Sequence, residues 1–289
     1  MKVLVTGAGG QVATALSKLK PAAMDLMSLD VKSLNICDAA AVEQRVAALK
    51  PQLIINAAAY TAVDKAEADR DLAFQVNGAA PGHLARAAHK HGARLLHIST
   101  DFVFDGSAEH PYKPDARTAP LGVYGESKLQ GEHRALDESH GEALVLRTAW
   151  VYASKGHNFV LTMLRLMGER GTVKVVRDQR GSPTWADSVA RALWAAAGTP
   201  GFRGLHHWTD AGVASWYDFA RGIAEEGRAA GLLKREAEVL PINTAEYPTP
   251  ARRPAYSVLD CSSTEAGLAL SAEPWRDNLK KMLMELKDA

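Results

Sequence analysis

Cysteine, net charge and long apolar runs are all scarce in this chain of 289 residues. Cys37 and Cys261 are too few for a disulfide framework and form no Cys-x-x-Cys pair, which favours a reducing, cytoplasmic location. The net charge of +1 excludes a general electrostatic attraction to nucleic acid or to an anionic membrane. No stretch approaches the roughly 18 apolar residues of a membrane span, and the N-terminal MKVLVTGAGG has too short an apolar run for a signal peptide.

Two common catalytic signatures are also missing. The sequence has no Gly-x-Ser-x-Gly elbow, which argues against a serine hydrolase of that type. His206 and His207 are adjacent and His89 and His91 are two positions apart, so neither pair has the i, i+4 helical spacing of a metallohydrolase. We therefore predict that these histidines bind no metal.

Five short apolar runs alternate with amphipathic stretches in the first half of the chain. The runs lack period-2 alternation, which is typical of parallel strands buried on both faces. Their order predicts an α/β fold with a Rossmann-like, doubly wound parallel sheet. The runs are residues 2–6, 26–30, 52–59, 93–100 and 143–150. We expect an NAD(P)-binding domain at 1–150 and a smaller, mainly substrate-binding lobe at 151–289, some segments of which return to the first domain.

A glycine-rich loop follows the first predicted strand. In TGAGGQVATAL, Gly7, Gly10 and Ala13 have the spacing G-x-x-G-x-x-A at the start of a predicted helix. Backbone amides and a helix N-terminus can then face a pyrophosphate, so the context favours a dinucleotide site over a tight turn without ligand. Asp30 ends the second strand, where a carboxylate typically takes ribose hydroxyls and favours NAD. Lys32 follows it and could meet a 2′-phosphate, which leaves both NADH and NADPH open.

Tyr124 and Lys128 lie four residues apart on a predicted helix and therefore share one helix face. An ammonium beside a phenol lowers a pKa that is ordinarily about 10 and so suits the tyrosine for proton transfer. The spacing alone is common on surface helices. Thr100 adds context, because it ends a predicted strand at the rim where open α/β sheets bind ligands and could polarise a substrate carbonyl.

These motifs together resemble the extended short-chain dehydrogenase/reductases. Further blocks resemble one branch of that family and cover nearly the whole chain. They are NAAAYTAVDKAE (56–67), STDFVFDG (99–106), APLGVYGESKLQGE (119–132), LRTAWVYASKGHNFVLTMLRL (146–166), DQRGSPTWADSVA (178–190) and YPTPARRPAYSVLD (247–260).

The resemblance implies an NAD(P)H-dependent oxidoreductase acting on a nucleotide-sugar. The implied reaction is reduction of the C4 ketone of dTDP-4-dehydro-6-deoxy-L-mannose to dTDP-L-rhamnose, with Tyr124 as proton donor, Lys128 as its support and Thr100 polarising the ketone. Asp101 and Trp150 fall on substrate positions. The implied cofactor positions are Gly7, Gly10, Gln11, Val12, Asp30, Asn35, Ile36, Ala59, Tyr60, Thr61, Ile98, Tyr124 and Lys128.

Two departures from the family pattern bear on adenine contact and on metal. Asn35 replaces an aspartate on the adenine side. Ala15 stands where some relatives carry a glutamate of a Mg²⁺ site between subunits; Asp187 and Glu285 remain, and two carboxylates make a poor site. We predict no metal ligand, and a homodimer is an assembly that the resemblance allows.

Arg252 and Arg253 lie in a loop stiffened by prolines and could clamp the diphosphate of the substrate, because guanidinium groups suit phosphate oxygens. A salt bridge to the first domain is the competing role. Two alternative functions stay open. One is another nucleotide-sugar reductase or epimerase of the same superfamily, and the other is a non-catalytic, dinucleotide-binding regulatory subunit.

Overall fold

The fold was described from a computed structural model, which covers residues 1–288. The strands are β1 (Lys2–Thr6), β2 (Asp25–Leu29), β3 (Leu53–Asn56), β4 (Arg94–Thr100), β5 (Leu144–Thr148), β6 (Val151–Tyr152), β7 (Thr172–Val176), β8 (Arg180–Gly181), β9 (Thr184–Trp185), β10 (Gly204–His207), β11 (Ala214–Ser215) and β12 (Glu238–Ile242).

The α-helices are α1 (Gln11–Lys18), α2 (Ala39–Leu49), α3 (Val63–Ala66), α4 (Arg70–Ala73), α5 (Ala80–Lys90), α6 (Val123–Glu138), α7 (Phe159–Arg170), α8 (Ala186–Ala197), α9 (Trp216–Ala229), α10 (Ser262–Leu268) and α11 (Trp275–Asp288). A π-helical turn, Phe74–Ala79, joins α4 to α5. None of the helices described is both long and apolar enough to cross a membrane.

Six parallel strands form the central sheet in the order β10-β5-β4-β3-β1-β2. This arrangement confirms the predicted doubly wound α/β fold. The first five strands coincide with the five apolar runs, and β10 comes from the second half of the chain. The order reverses between β1 and β3, and ligands of open α/β sheets bind at such a switch point.

Alternate residues of the strands enter two different cores, because successive side chains of a strand point to opposite faces. Val3 and Val5 pack against α1 and α8, in a cluster that includes Leu193 and Trp194. Leu4 packs on the other face with residues of α2 and α5. Both faces of the sheet are thus covered, which explains the uninterrupted apolar runs.

A third core joins elements of the second half of the chain. It combines residues of α7, α9 and α11, among them Met163, Phe219 and Leu279, with Val173 and Val175 of β7. Short two-residue ladders pair β11 with β8 and β6 with β9. They join loops rather than build a second large sheet.

Candidate active site

The carboxyl ends of β1, β3, β4 and β5 form one rim of the sheet. Thr6 and Asn56 are neighbours there, and the Thr6 hydroxyl donates to Asn56 Oδ1 at 2.6 Å. The same oxygen accepts from the backbone amide of Ala58 at 3.2 Å. Asn56 thereby turns the chain at the end of β3 and fixes the backbone that leads to Ala59 and Tyr60.

The glycine loop packs directly on this turn. Gly7 has φ +81°, and a Cβ there would stand 2.7 Å from the amide nitrogen of Ala58. Both the backbone angle and the close approach therefore require glycine. Gly10 is the N-cap residue of α1, which has no side-chain cap and no acidic residue in its first turn. The backbone amides at this helix end are suited to a phosphate group.

A loop from the second half of the chain reaches the same helix end. The Asn158 side-chain amide donates to Gln11 Oε1 at 2.9 Å and to the carbonyl oxygen of Ala153 at 2.8 Å. A Cβ on Gly156 would stand 3.3 Å from Gln11 Cγ. Gln11, a predicted cofactor residue, is thus held by a loop from the second half of the chain, while Val12 packs against the core beside it.

The residues predicted on the adenosine side lie beyond β2. Asp30 Oδ1 accepts from the Ser33 amide at 2.8 Å, and the side chain of Ser33 together with this amide lowers the pKa of Asp30. Asn35 Oδ1 accepts from the Cys37 amide at 3.1 Å. The side chain of Ile36 belongs to the core, which leaves its backbone as the group that could meet a cofactor.

The position of α6 depends on two distant contacts. Glu67 Oε1 accepts from the Val123 amide at 2.9 Å and so caps the helix in place of its own N-cap, Gly122. Gly125 allows the helix to approach the loop after β4, because a Cβ there would be 2.2 Å from the Phe102 carbonyl oxygen. These contacts bring Tyr124 to the rim, where its ring meets that of Phe102 edge-on at 5.5 Å.

Tyr124 is half-buried, and burial raises its pKa to about 12. The Thr100 hydroxyl opposes this rise, and the charge of Asp101 adds to it. The prediction that Lys128 lowers the pKa of Tyr124 is wrong for the protein alone, because burial outweighs every opposing interaction. A phenol held protonated is, however, the form that a proton donor must have.

Lys128 is buried on the same helix face. Its Nζ donates to the carbonyl oxygen of Ile98 at 2.6 Å, which joins α6 to β4 and brings together two residues predicted for the cofactor site. Burial lowers the pKa of Lys128 to about 8, and Glu132, one turn further along α6, opposes that shift. Glu132 itself is neutralised by a buried, bidentate pair with Arg147, with N to O distances of 2.8 and 2.7 Å.

Asn77 was missed in the sequence analysis. Its side chain accepts from the Tyr60 amide at 2.8 Å, donates to the Tyr60 carbonyl at 3.0 Å, and donates to the Ser127 hydroxyl at 3.2 Å. It lies in the π-helical turn, a form often found at functional sites. The only sequence signal is the pair Asn77-Gly78, of low helix propensity within a helical stretch. Asn77 therefore ties the loop of Ala59, Tyr60 and the exposed Thr61 to α6.

Asp101 and Trp150 follow β4 and β5, whose ends are paired through Thr100 and Thr148. Asp101 is fully buried: Oδ1 accepts from the Thr100 hydroxyl at 3.0 Å, and Oδ2 has no hydrogen-bond partner among the described residues. Burial raises the pKa of Asp101 to about 6. Trp150 is half-buried and has a positive φ of 49°.

The two arginines of the proline-rich loop have different surroundings. Arg253 forms a bidentate pair with Asp64 of α3, at 2.8 and 3.1 Å, and so takes the salt-bridge role. Arg252 is exposed and makes no hydrogen bond or ion pair with any residue of the range 1–288. Of these two arginines, Arg252 is therefore the one whose side chain is available to bind a diphosphate.

The two carboxylates considered as Mg²⁺ ligands are already paired with a lysine side chain. The ammonium of Lys18 pairs with Asp187 at 2.7 Å and also with Glu285. Ala15, at the third position, is buried in the core. No cluster of three or more His, Cys, Asp or Glu side chains suited to a metal occurs in the described part of the chain. These residues do not fit a Mg²⁺ site.

Comparison with known proteins identifies the family. A family model described as RmlD substrate binding domain matches residues 1–288. The dTDP-4-dehydrorhamnose reductase of Escherichia coli K12 is 40% identical, over 99% of this chain and 98% of its own length.

Solved structures agree with this result. The dTDP-4-dehydrorhamnose reductase of Clostridium acetobutylicum has a TM-score of 0.93 at 38% identity, covering 99% of this chain and 100% of that one. The enzyme of Bacillus anthracis in complex with NADP has a TM-score of 0.92 at 36% identity, covering 98% and 99%. The predicted family is confirmed, and the chain belongs to the RmlD substrate binding domain family, whose members include these reductases.

Proposed function

We propose that this chain is a dTDP-4-dehydrorhamnose reductase, which reduces the C4 ketone of dTDP-4-dehydro-L-rhamnose to dTDP-L-rhamnose with NADPH or NADH. The observation that carries the proposal is the placement of Thr100, Tyr124 and Lys128 at the rim beside the glycine loop. A regulatory subunit that catalyses no reaction would not need a buried lysine on the same helix face as a tyrosine at the rim. The full-length relatives with this name support the choice of substrate.

The rim fits a nicotinamide dinucleotide. Gly7 and Gly10 keep side chains away from the uncapped start of α1, and that helix end suits the pyrophosphate. Asp30 lies at the end of β2 for the adenosine ribose. The other proposed contacts are Gln11, Val12, Asn35, Ile36, Ala59, Tyr60, Thr61 and Ile98. The bound nicotinamide supplies the hydride.

The proton is supplied by Tyr124. As the carbonyl carbon is reduced, the C4 oxygen gains negative charge, and the phenol donates its proton to that oxygen. The resulting phenolate is stabilised by the ammonium of Lys128 on the same face of α6. In this scheme the Thr100 hydroxyl, which donates to Asp101 Oδ1 in the structure, turns its proton toward the ketone oxygen and thereby polarises it.

The remaining substrate contacts come from both halves of the chain. We propose that Asp101 and Trp150 contact the sugar and that Arg252 contacts the diphosphate. In this scheme residues 1–150 hold the cofactor, and residues 151–289 mainly close over the nucleotide-sugar. The two free cysteines suit a cytoplasmic protein. Light scattering coupled to size-exclusion chromatography would distinguish a monomer from a homodimer.

The test follows oxidation of NADPH and of NADH with dTDP-4-dehydro-L-rhamnose as substrate. The wild-type chain should reduce the substrate. The kcat of Tyr124→Phe should be lower by a factor of about 10² to 10⁴, because phenylalanine has no proton to donate. Cofactor binding by the variant, followed by NADPH fluorescence, should be retained. A wild-type protein without activity, or a fully active variant, would refute the proposal. Activity on a different 4-keto nucleotide-sugar alone would assign the chain to another reductase.

A further inference from the structure

Three side chains of α6 follow one stripe of the helix. Tyr124, Lys128 and Glu132 are spaced four residues apart, and Lys128 and Glu132 are both buried. We propose that the carboxylate of Glu132, held in place by Arg147, is the counter-charge of the Lys128 ammonium and thereby positions the charge that supports Tyr124. Glu132 and Arg147 are in this view positioning residues for the proton transfer, and the inference rests on the proposed function.

Glu132 is fixed by contacts from two strands. Its carboxylate accepts from Nε and Nη2 of Arg147 on β5, at 2.8 and 2.7 Å, and from the Ser99 hydroxyl on β4 at 2.5 Å. Ser99 and Arg147 are opposite each other in the sheet. Because all three side chains are buried, the carboxylate has little freedom to move. A buried carboxylate also needs a cationic partner, and Arg147 supplies it.

Arg147 is itself held from several sides. Its Nη1 donates to the carbonyl oxygen of Pro114 at 3.2 Å, and its guanidinium lies 5.0 Å from the ring centroid of Phe104. That ring stacks on the ring of Tyr112, with centroids 4.0 Å apart. Arg147 thus reaches Glu132 from the sheet, whereas Lys128 lies one turn before Glu132 on α6. One carboxylate therefore serves two cations.

Lys128 lies over the same part of the sheet as Glu132. Its Nζ donates to the carbonyl oxygen of Ile98, the residue before Ser99. Burial favours the neutral amine and lowers the pKa of Lys128, and the charge of Glu132 opposes that fall. Without the carboxylate, the ammonium would lose its proton at a lower pH. The cation that stabilises the phenolate of Tyr124 would then be absent over part of the neutral range.

The other titratable groups around Lys128 do not supply this counter-charge. Nδ1 of His97 on β4 lies 3.0 Å from Nδ2 of Asn56, and burial together with the Lys128 charge lowers the pKa of His97 well below its ordinary value. His207 of β10 lies beyond Arg147, and burial lowers its pKa to about 3. Asp101 acts on Tyr124, as described above. On α3, α4 and α5, which also pack on α6, Asp64 pairs with Arg253, His83 contacts the Ile36 carbonyl, and the remaining charged side chains are exposed.

The experiment measures the alkaline limb of kcat/KM in the reductase assay. Glu132→Met combined with Arg147→Met removes both buried charges together, an exchange that often leaves stability unchanged or raises it. The limb should move down by about one pH unit, the order of magnitude for two unit charges one helical turn apart at an effective dielectric constant of about 20. Since the pKa of Lys128 is about 8, the rate relative to wild type should fall about tenfold at pH 9 and only about twofold at pH 7.

Two single variants serve as controls. Ser99→Ala removes the hydroxyl bond to Glu132 but no charge, so any loss of rate should be equal at pH 7 and pH 9. Arg147→Lys retains a cation for Glu132 and should keep the limb at its wild-type pH. Glu132→Gln can still accept from Ser99 but has no charge, and it should move the limb down as the double variant does. Urea unfolding checks that each variant is folded.

The pH profile separates an effect of charge from general loss of structure. A rate that falls by the same factor at pH 7 and pH 9 in the double variant and in Glu132→Gln would overturn the inference. A limb that moves down equally in Arg147→Lys and in the double variant would also overturn it. A wild-type protein that reduces no nucleotide-sugar would instead refute the proposed function.

Discussion

The backbone of Gly125 in α6 lies against the Phe102 carbonyl oxygen, where a Cβ would be only 2.2 Å away. This contact sets how closely the helix of Tyr124 and Lys128 approaches the end of β4. Because the neighbouring atom is backbone, it cannot move aside as a flexible side chain could. The proton transfer proposed for Tyr124 therefore depends on Gly125, a position that has no part in the proposed chemistry.

Gly125→Ala should destabilise the protein by about 2 to 3 kcal/mol through overpacking, and should also lower kcat because Tyr124 is displaced. Gly168→Ala is the matched control: Gly168 is also in a helix, and no atom lies within 4 Å of its added Cβ. It should stabilise by about 0.5 to 1 kcal/mol. Urea unfolding and the reductase assay measure both effects. Equal stability of the two variants would contradict the packing argument.

The pH dependence of kcat/KM should have two limbs. The pKa of Asp101 is raised to about 6, so its carboxylate is lost as the pH falls below that value. The pKa of Lys128 is lowered to about 8, so its charge is lost as the pH rises above that value. The rate should therefore fall on both sides. Asp101→Asn should remove the acid limb, and an alkaline limb absent up to pH about 10 would argue against a role for charged Lys128.

Alanine substitutions at Arg252 and Arg253 should have different effects on KM and on stability. Arg252→Ala should raise KM more than it lowers kcat and leave stability unchanged, because the side chain is exposed and unpaired within residues 1–288. Arg253→Ala should cost about 1 kcal/mol of stability, since its pair with Asp64 is partly exposed. Asp64→Asn should reproduce that loss. An unchanged KM in Arg252→Ala would assign Arg252 to a role outside diphosphate binding.

Mg²⁺ should neither activate nor stabilise the wild-type protein, and EDTA should have no effect, because the ammonium of Lys18 already pairs with both Asp187 and Glu285. Lys18→Glu would place three carboxylates together and should lower Tm in EDTA. Millimolar Mg²⁺ should then restore part of the loss. Thermal unfolding with and without the metal checks this. A rise of Tm with Mg²⁺ in the wild type would show that the ammonium is displaced.

The strands of the first half could be predicted because each depends on local patterning. β1 agrees to the residue, and the runs for β2 to β5 differ from the structure only at their ends. The short ladders could not be predicted, since β8 and β11 are two residues each and pair across a long stretch of chain.

The residues proposed for the chemistry stood out in the sequence because they belong to motifs. Their supporting residues did not, because Glu67 and Asn77 form hydrogen bonds with partners remote in the chain. The pKa of Tyr124 was predicted in the wrong direction for a related reason. Spacing shows that Lys128 is near but gives no measure of burial.

The sheet that holds the glycine loop is completed by β10 and covered on one face by α8, both from the second half of the chain. Leu193, Trp194 and Trp208 would leave that face bare if the chain ended after β5. Heat should therefore melt the molecule in one calorimetric transition rather than two, with equal van 't Hoff and calorimetric enthalpies. Exchange of only the second half of the chain for that of a relative would also replace β10 and α8, which complete and cover the sheet. A substrate preference carried by the second half could therefore not be transferred as a separate module.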